Sequence, residues 1–262
     1  MVSFVQAVFL GIVQGLTEWL PISSSGHLVI LQQIFSIEVP LLFDVMLHIG
    51  TVAAVFVFFR REIWKKFQAL LRWDVYAGGR MLSYIAVATV PVAVVGYFFR
   101  GGIALLFKSL QDVGVLMVFT GFILFNTRAI RGKRKLGLKD AVYVGFAQAA
   151  SLAPGISRSG MTISTVLMRG VRKEQAFTFS FMLAIPAIIG ASVLELYNAQ
   201  LNGSLNYVIM PEMWLGTAVA FVVGYVSLQI LKDFIIREKF YKFGVYCWVV
   251  GFAVLLYTLL LV

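Results

Sequence analysis

The sequence predicts an all-α polytopic membrane protein built as an inverted-topology repeat, each half one re-entrant helix-loop-helix followed by three transmembrane helices. Three observations predict it. The composition is 60% hydrophobic with 23 Phe and only 13% charged residues, more apolar surface than a soluble domain of 262 residues can bury. Residues 14 to 26 recur 134 positions later as residues 148 to 160, and in both copies a breaker and a serine cluster interrupt an apolar segment. The basic residues are sorted into alternate loops.

The first broken segment reads as an apolar helix from about Val2 to Leu20 that Pro21 stops. Ser23, Ser24 and Ser25 follow, placed to cap a short second helix from Gly26 to about Phe35. Six stretches are long and apolar enough to cross a bilayer: 42 to 59, 82 to 99, 113 to 127, 176 to 195, 213 to 231 and 243 to 262. The second broken segment begins near Ala141, breaks at Pro154-Gly155, and offers Ser157 and Ser159 as caps for a helix to about Arg169. Shifted by 134, the first three spans overlay the last three, so the chain is one membrane domain of two repeats. Repeat 1 covers residues 1–127, a connector 128–139, and repeat 2 140–262.

A broken segment plus three spans is an odd number of crossings, which inverts the second half. Nineteen of the 22 Lys and Arg fall between 60 and 80, in the connector, between 169 and 173, or between 232 and 242, all on one side of the alternating arrangement. Only Arg100, Lys108 and Arg158 lie elsewhere, and the loop from Tyr197 to Pro211 has none. By the positive-inside rule the basic loops face the cytoplasm and both termini lie outside. The net charge of +10 is therefore a topology signal rather than a mark of nucleic-acid binding. Cys247 is the single cysteine, which excludes an internal disulfide. The start of the chain has no basic n-region, so the first apolar stretch is expected to stay in the mature protein.

Non-helical backbone at membrane depth is tolerated only where protein or a wet cavity satisfies it. Two half-helix N-termini meeting there would present free N–H groups and positive dipole ends to an anion, most simply phosphate. Glu18 is an ionisable group in an apolar stretch, and Gln14, one turn earlier, shares its face. Together they make an oxygen-ligand site for a hard cation, Mg²⁺ or another divalent ion such as Ca²⁺. Arg158 can hold phosphate with its planar fork, and His27 can move protons near neutral pH. Carboxylate, histidine, hydroxyl and guanidinium are the parts of a phosphoryl-transfer site. A plainer reading pairs Glu18 with Arg158 as a buried ion pair. Ser23, Ser25, Ser157 and Ser159, with Gly160 and Thr162, read as scaffold and phosphate donors. Ser24 differs because the repeat places it opposite Arg158, breaking the symmetry where an asymmetric reaction needs one attacking group and one clamp. His48, with Asp44 one turn before it, reads as a hydrogen-bonded packing residue.

Gln14-x3-Glu18, Pro-Ile-Ser-Ser-Ser-Gly-His at 21 to 27 and Pro-Gly-Ile-Ser-Arg-Ser-Gly-Met-Thr at 154 to 162 resemble the undecaprenyl-diphosphate phosphatase family associated with bacitracin resistance. The likeness extends through Phe43 to Thr51 and Phe179 to Pro186. It implies an integral enzyme of the bacterial cytoplasmic membrane, its site opening to the outer face. Such an enzyme removes the terminal phosphate of a C55 isoprenyl diphosphate and recycles the carrier for cell-wall synthesis. The resemblance maps the family's acidic motif onto Gln14 and Glu18, its histidine onto His27, its hydroxyl cluster onto Ser23 to Ser25 and its second motif onto Pro154 to Gly160. The family's motif takes Glu or Gln at the first position, and members with Glu there have one more charge at the metal than this chain with Gln14.

Partners expected on this basis are the polyprenyl diphosphate substrate and membrane lipids, with no nucleic acid; a homodimer is left open. A lipid-phosphate flippase or anion transporter on the same inverted repeat is the competing class. The second membrane lipid phosphatase family needs a nucleophilic histidine after five intervening residues past the arginine, where this chain has Ser164. Two alternatives stay open at this level: His27 or Glu18 as base, and serine or water as nucleophile.

Overall fold

In the computed structural model, which describes residues 2–71, 80–203, 208 and 210–261, the chain folds into helices joined by short connections. They run in the order α1 (Phe4–Trp19), α2 (Ser24–Ile34), α3 (Leu41–Phe58), α4 (Arg60–Leu71), α5 (Arg80–Phe98), α6 (Arg100–Leu106), α7 (Leu110–Phe125), α8 (Leu138–Ala150), α9 (Arg158–Met168), α10 (Lys173–Leu201), α11 (Pro211–Ile236) and α12 (Lys242–Leu261). Among the described residues, five helices are long and apolar enough to cross a membrane, and six if α6 and α7 count as one bent span. The broken segments appear where the sequence places them, α1 with α2 and α8 with α9.

The differences from expectation are local. The second helix starts at Ser24 rather than Gly26, because the Ser23 side chain alone accepts from Gly26 N and caps it. The span expected at 113 to 127 is the 16-residue α7, set at 95° to α6, and Ser109 caps it by accepting from Asp112 N. The basic stretch after α3, expected as a loop, begins with helix α4, whose Trp64 and Phe67 stack at a centroid distance of 5.8 Å. Arg72 and part of the loop from Tyr197 to Pro211 lie outside the described residues.

Each broken helix packs on a span of the other half, α1 on α11 and α8 on α5. Helix α11 also lies along α3, and α7 lies along α12. Small residues make the last contact close. A Cβ on Gly244 would sit 2.6 Å from Gly121 O, and one on Gly121 would sit 2.8 Å from Gly244 O, so neither position has room for any other side chain. The largest core runs from Trp19 through Phe59, Phe177 and Phe181, whose rings pack, mostly tilted, at centroid distances of 4.7 to 6.1 Å.

One charged knot holds the connector against the second broken segment. Asp140, in the first turn of α8, has no exposed surface and accepts from Arg134 Nη1 and Nη2 at 3.0 and 2.8 Å, from Arg169 Nε at 2.5 Å and from Gly137 N at 2.9 Å. Burial by itself would raise this carboxyl, but the hydrogen bonds from Arg134, Arg169 and the Gly137 backbone outweigh it and hold the group below its usual range. A carboxyl depressed in the folded state adds stability that is complete above its unfolded value, near 4, and is lost as pH falls through the folded value. The thermal midpoint in detergent should therefore drop more steeply below about pH 4 for the wild type than for Asp140→Asn, which should be weaker at neutral pH. Parallel acid slopes would show that the knot carries no such linkage.

Candidate active site at the meeting of the two broken helices

Both breaks are built from the same local device. Ser23 Oγ accepts from Gly26 N at 3.2 Å, and 134 positions later Ser157 Oγ accepts from Gly160 N at 3.1 Å. Ser23 and Ser25 approach at 3.4 Å, Ser157 and Ser159 at 3.2 Å. Hydroxyls N-cap both short helices because a helix start leaves N–H groups without partners. The two breaks then bind each other. Gly155 N donates to Ser23 Oγ at 3.0 Å, Ser159 Oγ donates to Leu20 O at 3.2 Å, and Thr120 Oγ1 donates to Gly155 O at 2.9 Å. Gly26 is close enough to the other loop that a Cβ there would stand 3.1 Å from Gly155 Cα. Irregular backbone is thus satisfied by protein, as the apolar surroundings demand.

Glu18 sits where these elements converge. Its Oε1 accepts from Arg158 Nη2 at 2.7 Å, and its Oε2 accepts from Ser24 Oγ at 2.5 Å and from Gln14 Nε2 at 3.0 Å. His48 Nε2 lies 3.5 Å from the same Oε2. Arg158 is the first residue of α9, its guanidinium carbon 5.2 Å from the centre of the Trp19 ring. A cation at a helix N-terminus opposes the helix dipole, so Arg158 is held there by Glu18 and would be better matched by an added anion. A cavity of about 350 Å³ opens at this point. Glu18, Ser23, Ser24, Ser25, Ser157 and Arg158 line its polar part, and Leu28, Val29, Val92, Phe107 and Ile188 are among the apolar residues beside them.

The structure brings together Gln14, Glu18, Ser24 and Arg158 and separates others from them. His27 does not line the cavity: its Nδ1 bonds Ser23 O and its Nε2 bonds Tyr246 Oη, both at 2.8 Å. The polar groups of Ser159, Gly160 and Thr162 serve the scaffold, Thr162 Oγ1 donating to Arg158 O at 2.9 Å. Two residues read as packing groups instead face the cavity. His48 does so with its Nδ1 on Asp44 O at 2.7 Å, and Asp44 with its carboxylate accepting from Gln32 Nε2 at 3.2 Å. The signal was their spacing of four, which puts both on one face of α3. Gln148 was noted only as the repeat partner of Gln14. It lines the cavity fully buried, with both side-chain polar atoms unpartnered among the described residues. Glu195, paired with Arg100 at 2.8 Å, completes the wall on α10.

As a metal site the donor set is lean. Among the described residues no three His, Cys, Asp or Glu stand together as a cation cage. Yet Gln14, which turns Nε2 to Glu18, leaves Oε1 buried with no partner among the described residues; with the amide reversed, this oxygen and the Glu18 carboxylate would be two donors suited to a hard cation.

Residues 7–253 match the family described as bacitracin resistance protein BacA. The chain is 41% identical over 259 residues to the undecaprenyl-diphosphatase of Korarchaeum cryptofilum, covering 95% of this chain and 97% of the relative. It is 40% identical over 258 residues to proteins of the same name from Syntrophotalea carbinolica, at 95% and 97% coverage, and Carboxydothermus hydrogenoformans, at 95% and 95%. With the motifs of both broken helices joined in one site and the match running almost end to end, the chain belongs to the BacA bacitracin resistance family.

Proposed function

We propose that the protein is an integral membrane phosphatase that hydrolyses undecaprenyl diphosphate to undecaprenyl phosphate and phosphate. The observation that carries this reading is Ser24 Oγ bonded at 2.5 Å to one oxygen of a carboxylate whose other oxygen holds Arg158. Hydroxyl, base and guanidinium line a cavity whose remaining wall is largely apolar, as an isoprenyl chain requires. The names of the relatives supply the substrate.

In the proposed reaction Ser24 Oγ attacks the terminal phosphorus while its proton passes to Glu18 Oε2. The bond from that phosphorus to the bridging oxygen breaks, and lipid monophosphate leaves with that oxygen, taking the proton from Glu18. Neutralising Glu18 during attack weakens its hold on Arg158, whose fork turns to the transferred phosphoryl group. Water then attacks the phosphoserine, giving its proton to Glu18, and phosphate departs as Ser24 recovers the hydroxyl. Glu18, rather than His27, is the base within reach of Ser24. With Glu18 serving as the base, the divalent ion, Mg²⁺ or another such as Ca²⁺, would be held by substrate oxygens and water, with Gln14 Oε1 the side-chain oxygen left to it, and when bound would supply positive charge at the diphosphate.

The same reading extends to topology. Support for two inverted repeats comes from the equivalent serine caps 134 residues apart and from the reciprocal packing of α1 on α11 and α8 on α5. Leu41 at the start of α3, Phe107 between α6 and α7, and Glu195 in the last two turns of α10 line the cavity, each in the part of its helix or helix pair away from the basic loops. With those loops in the cytoplasm, the cavity opens to the outer face of the cytoplasmic membrane. Cysteines placed at Gly102 and at Lys239, in a chain carrying Cys247→Ala, should be labelled from opposite sides; labelling of both from one face would remove the topology.

Purified protein should release phosphate from a long isoprenyl diphosphate, faster with Mg²⁺ than with chelator. No release in either condition would favour the flippase reading. A phosphoserine at 24 should be trapped by rapid quench, and Ser24→Ala should bind substrate without turnover. A Ser24→Ala enzyme that turns over would make water the nucleophile. Arg158→Lys should be slower by about two to three orders of magnitude, because a point charge lacks the fork that spans two phosphoryl oxygens. A rate within a few-fold of wild type would show that charge alone suffices.

A further inference from the structure

Ser23 adopts φ 68° and ψ 94°, left-handed backbone that a residue with a Cβ rarely takes. It precedes Ser24, so this turn aims the proposed nucleophile. Its carbonyl accepts twice, from His27 N at 3.1 Å in the first turn of α2 and from His27 Nδ1 at 2.8 Å. A carbonyl can only accept, so Nδ1 carries the hydrogen. In the neutral ring Nε2 is then an acceptor, and Tyr246 Oη, 2.8 Å away on α12, is its donor. The two rings stack at 5.7 Å with planes 12° apart. Both nitrogens of His27 are therefore engaged outside the cavity, and the chain of contacts runs from α12 through His27 to the turn that presents Ser24.

We infer that Tyr246 is a positioning residue of this site, acting through His27 to lock the Ser23 turn so that the Ser24 hydroxyl meets Glu18. The inference rests on the proposed role of Ser24. It assigns to His27 the holding of a backbone conformation instead of proton transfer, and it ties the first broken segment to the last helix of the chain. The ionisable groups that face the cavity are Glu18 on α1, Asp44 and His48 on α3, Arg158 on α9 and Glu195 on α10, and His27 is not among them.

The test is phosphate release from a long isoprenyl diphosphate across pH 5 to 9 by Tyr246→Phe, His27→Ala and the double variant. Tyr246→Phe keeps the stacked ring and removes one hydroxyl. Its kcat should fall by about five- to tenfold, the loss expected when one neutral hydrogen bond no longer holds a reacting group in place. KM should stay within about twofold, and the acid limb of the profile should not move. The double variant should be no slower than His27→Ala alone, since the tyrosine acts only through the imidazole. Full kcat in Tyr246→Phe, losses that multiply in the double variant, or an acid limb that moves when the hydroxyl is removed would each overturn the inference. If His27→Ala fails to fold, the rate and profile of Tyr246→Phe decide alone. An inactive wild type or a fully active Ser24→Ala enzyme takes down the proposed function and this inference together; a full-speed Tyr246→Phe enzyme beside an inactive Ser24→Ala takes down the inference only.

Discussion

A carboxylate buried inside an apolar helix bundle must be answered by something close, and the arrangement of this site follows from how Glu18 is answered. An unpaired charge there would cost several kcal/mol or more. Arg158 on one oxygen and Ser24 with Gln14 on the other remove that cost, but they reach Glu18 only if both broken helices end at the same place. The ion pair therefore couples two segments 140 residues apart in sequence. It also explains why an arginine is tolerated at the first position of α9, where the helix dipole disfavours it.

The backbone imposes a second condition. Each break exposes N–H and C=O groups that lipid cannot satisfy, and each loop satisfies the other: Gly155 N on Ser23 Oγ, Ser159 Oγ on Leu20 O. Glycine at 26 lets the two loops come into contact. The side chains that the repeat keeps identical are the ones doing this work. Where it departs from identity, at Ser24 against Arg158 and Glu18 against Leu152, the chemistry appears. Symmetric positions build the scaffold; the asymmetric ones are those proposed to react.

That division accounts for what was legible in the sequence. Helix positions followed from apolar length and breakers, and Glu18, Ser24 and Arg158 followed from charge and hydroxyl types that an apolar segment does not otherwise contain. Side-chain direction did not. His27 lies three residues after Ser24 on the same short helix, a spacing that allows a shared face, yet the left-handed Ser23 turns the first carbonyl toward the imidazole and draws it away. His48 looked like a packing group because its neighbours are apolar. Its partner Glu18 comes from α1, and no local pattern records that contact. Helix α4 was hidden for another reason: it is short and Arg60, Arg61, Glu62, Lys65 and Lys66 are interleaved with its apolar residues, so span-length hydropathy reads it as loop.

The glutamines show how far the repeat constrains function. Gln14 and Gln148 occupy equivalent positions and both are fully buried, but only Gln14 has a carboxylate one turn later. It donates to Glu18 and leaves Oε1 unpartnered, whereas Gln148, followed by Leu152, leaves both atoms so in the cavity wall. Buried amides short of partners are costly enough to be rare, and here Gln148 lines the cavity while Gln14, from the other half of the chain, bonds the Glu18 carboxylate that lines it. A glutamine at position 14 can offer its oxygen to a cation or, with the amide reversed, its nitrogen to a phosphate, which a carboxylate cannot do. A glutamine here, in place of a second carboxylate, keeps the charge around Glu18 lower while providing an oxygen. The electrostatic load on Arg158 is correspondingly smaller, since it has a single carboxylate on this helix to neutralise when no phosphate is present.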